Sequence, residues 1–69
     1  MEYTIHFISI NVNGEQKEWH MTPTELMEEF YGECDLPSLE DTIMSCQYAG
    51  TILYFETFSE LMYVFTGVG

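Results

Sequence analysis

The chain has 69 residues, room for one domain with one modest core, because a chain of this size buries only about 60% of the surface its unfolded form exposes. Apolar residues make up 46% of it and aromatics 16%, too hydrophobic for a disordered acidic tail. Twelve carboxylates face one basic side chain, Lys17, and the resulting net charge of −11 excludes direct binding to nucleic acid or to an anionic membrane, where affinity rests on Lys and Arg displacing counterions.

Met1-Glu2-Tyr3-Thr4 lacks the basic start of a secretory signal, and no apolar run approaches about 18 residues. A cytoplasmic setting is therefore expected, with Cys34 and Cys46 as reduced thiols. Residues 3–12 are β-branched and aromatic with partial alternation, which predicts a strand. Asn13-Gly14 predicts a hairpin turn, because both residue types tolerate positive φ, and 15–20 is the returning strand. Thr22-Pro23-Thr24-Glu25 then supplies a Thr N-cap, Pro at the first helical position and Glu placed to close a capping box. Leu26, Met27 and Phe30 fall on one side of this helix, Glu28 and Glu29 largely on the other, and Gly32 is expected just past its C-cap.

After a connector over 33–38 the same grammar returns. Residues 42–48 predict a strand, Ala49-Gly50 a turn and 51–56 the strand back. Thr57-Phe58-Ser59-Glu60 is again a capping box, opening a helix that stops at Gly67. TPTELMEEFYG and TFSELMYVFTG share six of eleven positions at an offset of 35 residues, which predicts a tandem duplication: repeat one over 3–32, linker 33–38, repeat two over 39–67. One ββα unit cannot bury both a sheet face and a helix face by itself. The expected fold is α+β, a ββα-ββα tandem repeat forming a single domain over 1–69. Its four-stranded antiparallel sheet would carry two helices on one face about a pseudo-twofold axis, making a monomeric pseudo-dimer.

Solubility alone asks for a net charge of magnitude about 2–8 in a small domain. The excess points to a negative surface shaped for a positive cleft, the alternative being acidity that serves solubility only. Ten of the twelve carboxylates lie in residues 1–41, so the acidic face should be lopsided. In repeat two, Tyr63 and Val64 stand where repeat one has Glu28 and Glu29; either repeat two supplies most of the core, or its helix is hidden in a self-association interface, or an apolar strip borders the acidic one on the binding face.

No catalytic constellation is visible, and no enzymatic activity or cofactor is expected. His6 and His20 sit in predicted strands as surface or packing residues, Cys34 and Cys46 lack metal-ligand spacing, and the pairs Glu28-Glu29 and Glu40-Asp41 lack the spacing of a calcium loop. Met27 and Met62 occupy equivalent helix positions, either as core filler or as the lining of a groove between the helices.

The stretch 3–32 resembles the short uracil-DNA glycosylase inhibitors of phi29-like bacteriophages. The resemblance rests on Tyr3, Gly14 and Gln16, on the acid-aromatic-His triplet Glu18-Trp19-His20, and on Phe30-Tyr31-Gly32 at the end of a short capped helix. It implies a ββα fold that pairs into a four-stranded sheet with two helices, and an inhibitor that fills the glycosylase's DNA-binding cleft as a nucleic-acid mimic. It further implies a gripping position at Met27, a helix acid at Glu28, a helix tyrosine at Tyr31 and a strand acid at Glu18, with Met62 as the second gripping position through the internal repeat. The sequence departs from that family in having Met where the gripping residue is aromatic, and in keeping neither the acid nor the tyrosine in repeat two, which has Tyr63 and Thr66.

The expected function is a DNA-mimic inhibitor that binds a host uracil-DNA glycosylase in the host cytoplasm, using Glu18, Met27, Glu28, Glu29, Tyr31, Glu40, Asp41 and Met62. The alternatives are a mimic directed at a restriction enzyme, CRISPR effector or nucleoid protein, and a small acidic interaction module without mimicry.

Overall fold

Alternation decides which side of the first hairpin is buried. In the computed structural model, which describes residues 2–32 and 35–67, strand β1 is Ile5–Ile10 and strand β2 is Gln16–Met21. Ile5, Phe7 and Ser9 with Trp19 and Met21 are buried, while the intervening His6, Glu18 and His20 are exposed. Helix α1 (Pro23–Tyr31), strands β3 (Thr42–Tyr48) and β4 (Thr51–Leu53), and helix α2 (Phe58–Thr66) complete an α+β fold. Its one sheet is antiparallel throughout, in the order β2-β1-β3-β4.

A single core joins one face of this sheet to both helices. It gathers Ile5, Phe7, Trp19, Met21, Ile43 and Cys46 from the strands, Leu26 from α1, and Phe58, Leu61 and Met62 from α2. Phe7 lies at its centre, its ring stacked 6.1 Å from Trp19 and 5.7 Å from Phe58. Ile43 and Cys46 both face inward although three residues apart, which simple alternation forbids. A bulge resolves the conflict: Ile8 pairs with Ser45 and Ser9 with Ile43, leaving Met44 as an extra, exposed residue.

The helix starts follow their capping residues. Thr22 Oγ1 accepts from the Glu25 N–H at 3.2 Å, and Glu25 Oε1 accepts from the Thr22 N–H at 3.0 Å, the reciprocal box expected. At α2 the box is displaced: Thr57 Oγ1 accepts from the Glu60 N–H at 3.5 Å, but the Glu60 carboxylate takes the N–H of Glu56. Gly67 ends α2 in the left-handed conformation at φ +78°, its N–H donating to the Tyr63 carbonyl at 2.9 Å. Gly32 ends α1 differently from expectation, with φ −101°. It is favoured there by room, since a Cβ would stand 3.1 Å from the Glu28 carbonyl oxygen.

The two turns exchange the chemistry the sequence suggests. In the first hairpin only Gly14 has positive φ, at +81°, and the organising residue is Asn11 rather than Asn13. Asn11 Oδ1 accepts from the backbone N–H groups of Asn13 and Glu15 at 2.9 and 3.0 Å, and the Asn11 carbonyl accepts from Gly14 at 2.9 Å. In the second hairpin both central residues are left-handed, Ala49 at +53° and Gly50 at +76°. The strand expected over 51–56 stops at Leu53. Tyr54 leaves the sheet and is 89% exposed, and Thr57 bridges back to Thr42.

Candidate partner-binding surface

Hydrogen bonding sorts the carboxylates into two groups. Glu2 accepts from the Thr24 N–H and hydroxyl at 3.2 and 2.7 Å, holding the N-terminal segment to the first turn of α1. Glu15 accepts from Asn11 Nδ2, Glu25 and Glu60 serve helix starts, and Asp35 pairs with Lys17 at 3.2 Å. Asp41 accepts from the Ser38 N–H at 3.2 Å through its carboxylate, and from the Phe58 N–H at 2.9 Å through its carbonyl. These six acids hold the chain together. Among the described residues, Glu18, Glu28, Glu29, Glu40 and Glu56 are exposed carboxylates that accept no hydrogen bond from a protein donor.

The residues expected at the partner surface distribute unevenly over this frame. Glu28, Glu29 and Tyr31 project from α1 into solvent, and Met27 beside them is half-buried. Glu40 is exposed in the turn that leads to β3, next to the start of α2, where Ser59 donates its N–H to the Leu39 carbonyl. Glu18 stands on the opposite side of the sheet from the helices, so the set does not form one continuous face. Asp41 belongs to the structural group. Met62 is a correction: it is 0% exposed, because the turn of α2 that carries it faces the sheet, and it is core rather than groove lining.

Neutralisation within the chain is slight. Lys17 is the only Lys or Arg; besides its pairing with Asp35 it lies 4.3 Å from the centre of the Trp19 ring. Among the described residues, the free carboxylates thus have no ion pair with a Lys or Arg.

The apolar strip offered as one reading of Tyr63 and Val64 is present, and it extends to Tyr54 and a groove that the sequence does not announce. Tyr54, Phe55, Ser59, Glu60, Tyr63 and Val64 line a shallow groove of about 510 Å³ between the segment after β4 and α2. Tyr63 and Val64, at 66% and 61% exposed, are on the surface rather than in the core, and with Tyr54 they leave an apolar strip beside Glu56 and Glu60. Tyr54 was hidden from sequence reading by its strand-like neighbours.

Cys46 is fully buried, and burial pushes its thiol up to about 11, which rules it out as a nucleophile near neutral pH. Cys34 lies outside the described residues. Among the described residues no three His, Cys, Asp or Glu side chains converge on a metal-sized site, and no helix is long and apolar enough to cross a membrane. No known family model, curated protein or solved structure matches the chain.

Proposed function

We propose that this chain is an acidic nucleic-acid mimic that occupies the DNA-binding cleft of a host enzyme, with uracil-DNA glycosylase as the first target. The observation that carries the proposal is the set of exposed carboxylates on and around the helices, Glu28, Glu29, Glu40 and Glu56, that no group among the described residues engages. A cleft built to hold phosphates offers Arg, Lys and backbone N–H donors at close spacing, and free carboxylates satisfy them as phosphate oxygens do. A net charge of −11 steers encounter with such a cleft, and the apolar strip of Tyr54, Tyr63 and Val64 supplies contact area that salt does not screen.

The sheet order β2-β1-β3-β4 supports the finer architectural reading as well. Two ββα units related by a twofold axis join through equivalent strands, and the antiparallel pairing of β1 with β3, the first strand of each unit, is one such arrangement. Tandem duplication with a pseudo-twofold axis fits the matched caps at Thr22 and Thr57.

The test is a uracil-excision assay with bacterial glycosylases titrated with the chain. Inhibition at near-stoichiometric ratio is expected, and a triple Glu28→Gln, Glu29→Gln, Glu40→Gln variant should fold normally yet lose most of it. Full excision at large molar excess would end the glycosylase reading.

The burial of Met62 favours a second target class, because it removes one of two gripping positions that the glycosylase inhibitors imply. A restriction enzyme, CRISPR effector or nucleoid protein needs the carboxylates but no such grip. Competition with duplex DNA for those proteins separates the two readings.

A further inference from the structure

The outer face of the sheet carries a cross-strand row that mimicry does not use. His6 and His20 are register partners on β1 and β2, both exposed, with ring centroids 4.6 Å apart and planes tilted by 51°. Neither imidazole has a hydrogen-bond partner among the described residues. Gln47 faces His6 from β3, and Glu18 lies two residues from His20 on the same face. His6, Ile8, Glu18, His20, Ser45 and Gln47 contribute to the wall of a depression of about 280 Å³.

We propose that His6 and His20 form a two-imidazole site for a divalent ion of the copper, nickel and zinc class. Metal–nitrogen bonds of about 2.0–2.1 Å, with two imidazoles bound side by side on one ion, place the ring centres roughly 4.5–5 Å apart. The observed 4.6 Å lies at the end of this range that suits the right-angled positions of a tetragonal or octahedral ion. The sheet ladder holds the two rings opposite each other in advance, so ion binding costs only side-chain reorientation. Water fills the remaining coordination positions, since no third His, Cys, Asp or Glu converges there among the described residues. The net charge of −11 raises the local concentration of cations, while the imidazoles select against Mg²⁺ and Ca²⁺, which prefer oxygen. The bound ion pins β1 to β2 on the face away from the helices, independently of the partner surface proposed above.

The experiment uses the full chain in a non-coordinating buffer, titrated with Ni²⁺ and with Zn²⁺ by calorimetry, with Mg²⁺ as control. One ion per chain is expected, and His6→Ala or His20→Ala should each weaken binding by about tenfold or more. A Glu28→Gln variant should bind as the parent does. NMR provides a reading that needs no variant: substoichiometric Ni²⁺ should broaden the His6 and His20 ring signals before any other. Unchanged affinity in both histidine variants, broadening centred on the carboxylate residues, or no binding of either ion would overturn the site.

Discussion

Trp19 donates its indole N–H to Ser9 Oγ at 2.9 Å inside the core, across the β1–β2 pair. Ser9 is the buried polar side chain of the described core, 4% exposed, and this bond satisfies the donor of a buried indole. Ser9→Ala leaves the indole N–H unpaired and should destabilise the fold by about 1–3 kcal/mol. Urea unfolding followed by the fluorescence of Trp19, the single tryptophan, measures it. A change below about 0.5 kcal/mol would mean that the indole finds another acceptor.

Ala49 adopts φ +53° in the second hairpin, a conformation in which its Cβ is strained and Asn is tolerated. Ala49→Asn should stabilise the protein by about 0.5–1 kcal/mol. That corresponds to a rise in Tm of roughly 4 °C in a domain of this size. Asn13→Ala, in the hairpin where Asn13 does not have positive φ, should leave Tm nearly unchanged. Equal and opposite effects at the two positions would contradict this assignment of turn geometry.

The Cys46 thiol titrates at about 11 when folded because burial disfavours the thiolate. The unfolded chain loses this proton first, near the ordinary thiol range. Stability is therefore fully present below about pH 9 and falls as pH rises toward 11, by about 3 kcal/mol in total. Stability curves of the parent and Cys46→Ala, both in a Cys34→Ser background, should converge as pH rises through this window. In the same background, alkylation of Cys46 at pH 8 should wait on unfolding; rapid labelling of the folded protein would contradict the burial.

Carboxylates without partners repel one another, and added salt should relieve them. Raising ionic strength from about 0.1 to 1 M shortens the screening length from about 10 to 3 Å. Tm in KCl should rise across that range, and the Glu28→Gln, Glu29→Gln, Glu40→Gln variant should show a smaller rise. Asp41→Ala should instead lower Tm, because it removes the side-chain acceptor that anchors the Ser38 N–H. A Tm insensitive to salt would show that the charges are too far apart to matter.

Local signals were legible in the sequence and long-range ones were not. Thr22 and Thr57 announce their helices because a cap is settled within four residues, and both helices begin where these residues place them. Exposure of His6 and His20 follows from strand alternation. The bulge at Met44 carries no glycine or other marker; it arises because β3 must satisfy β1 and the core together. Met27 and Met62 show the same limit at the candidate surface. Their helices have matching sequences around them, yet one is half-buried and the other wholly so, since the rotation of each helix against the sheet decides which methionine turns inward. The free status of Glu28, Glu29 and Glu40, against the structural duty of Asp41, likewise depends on which backbone donors the fold brings near.

The sheet protects its two edges by unlike means. β4 is only three residues long before Tyr54 turns away, so little unpaired backbone is on offer there, whereas β2 runs for six residues and is guarded by Lys17 and Glu18. Fibril growth needs a sticky edge at both ends of each subunit. Stripping the charges from β2 would open one end only, and the product would be a closed pair of molecules rather than an extending filament.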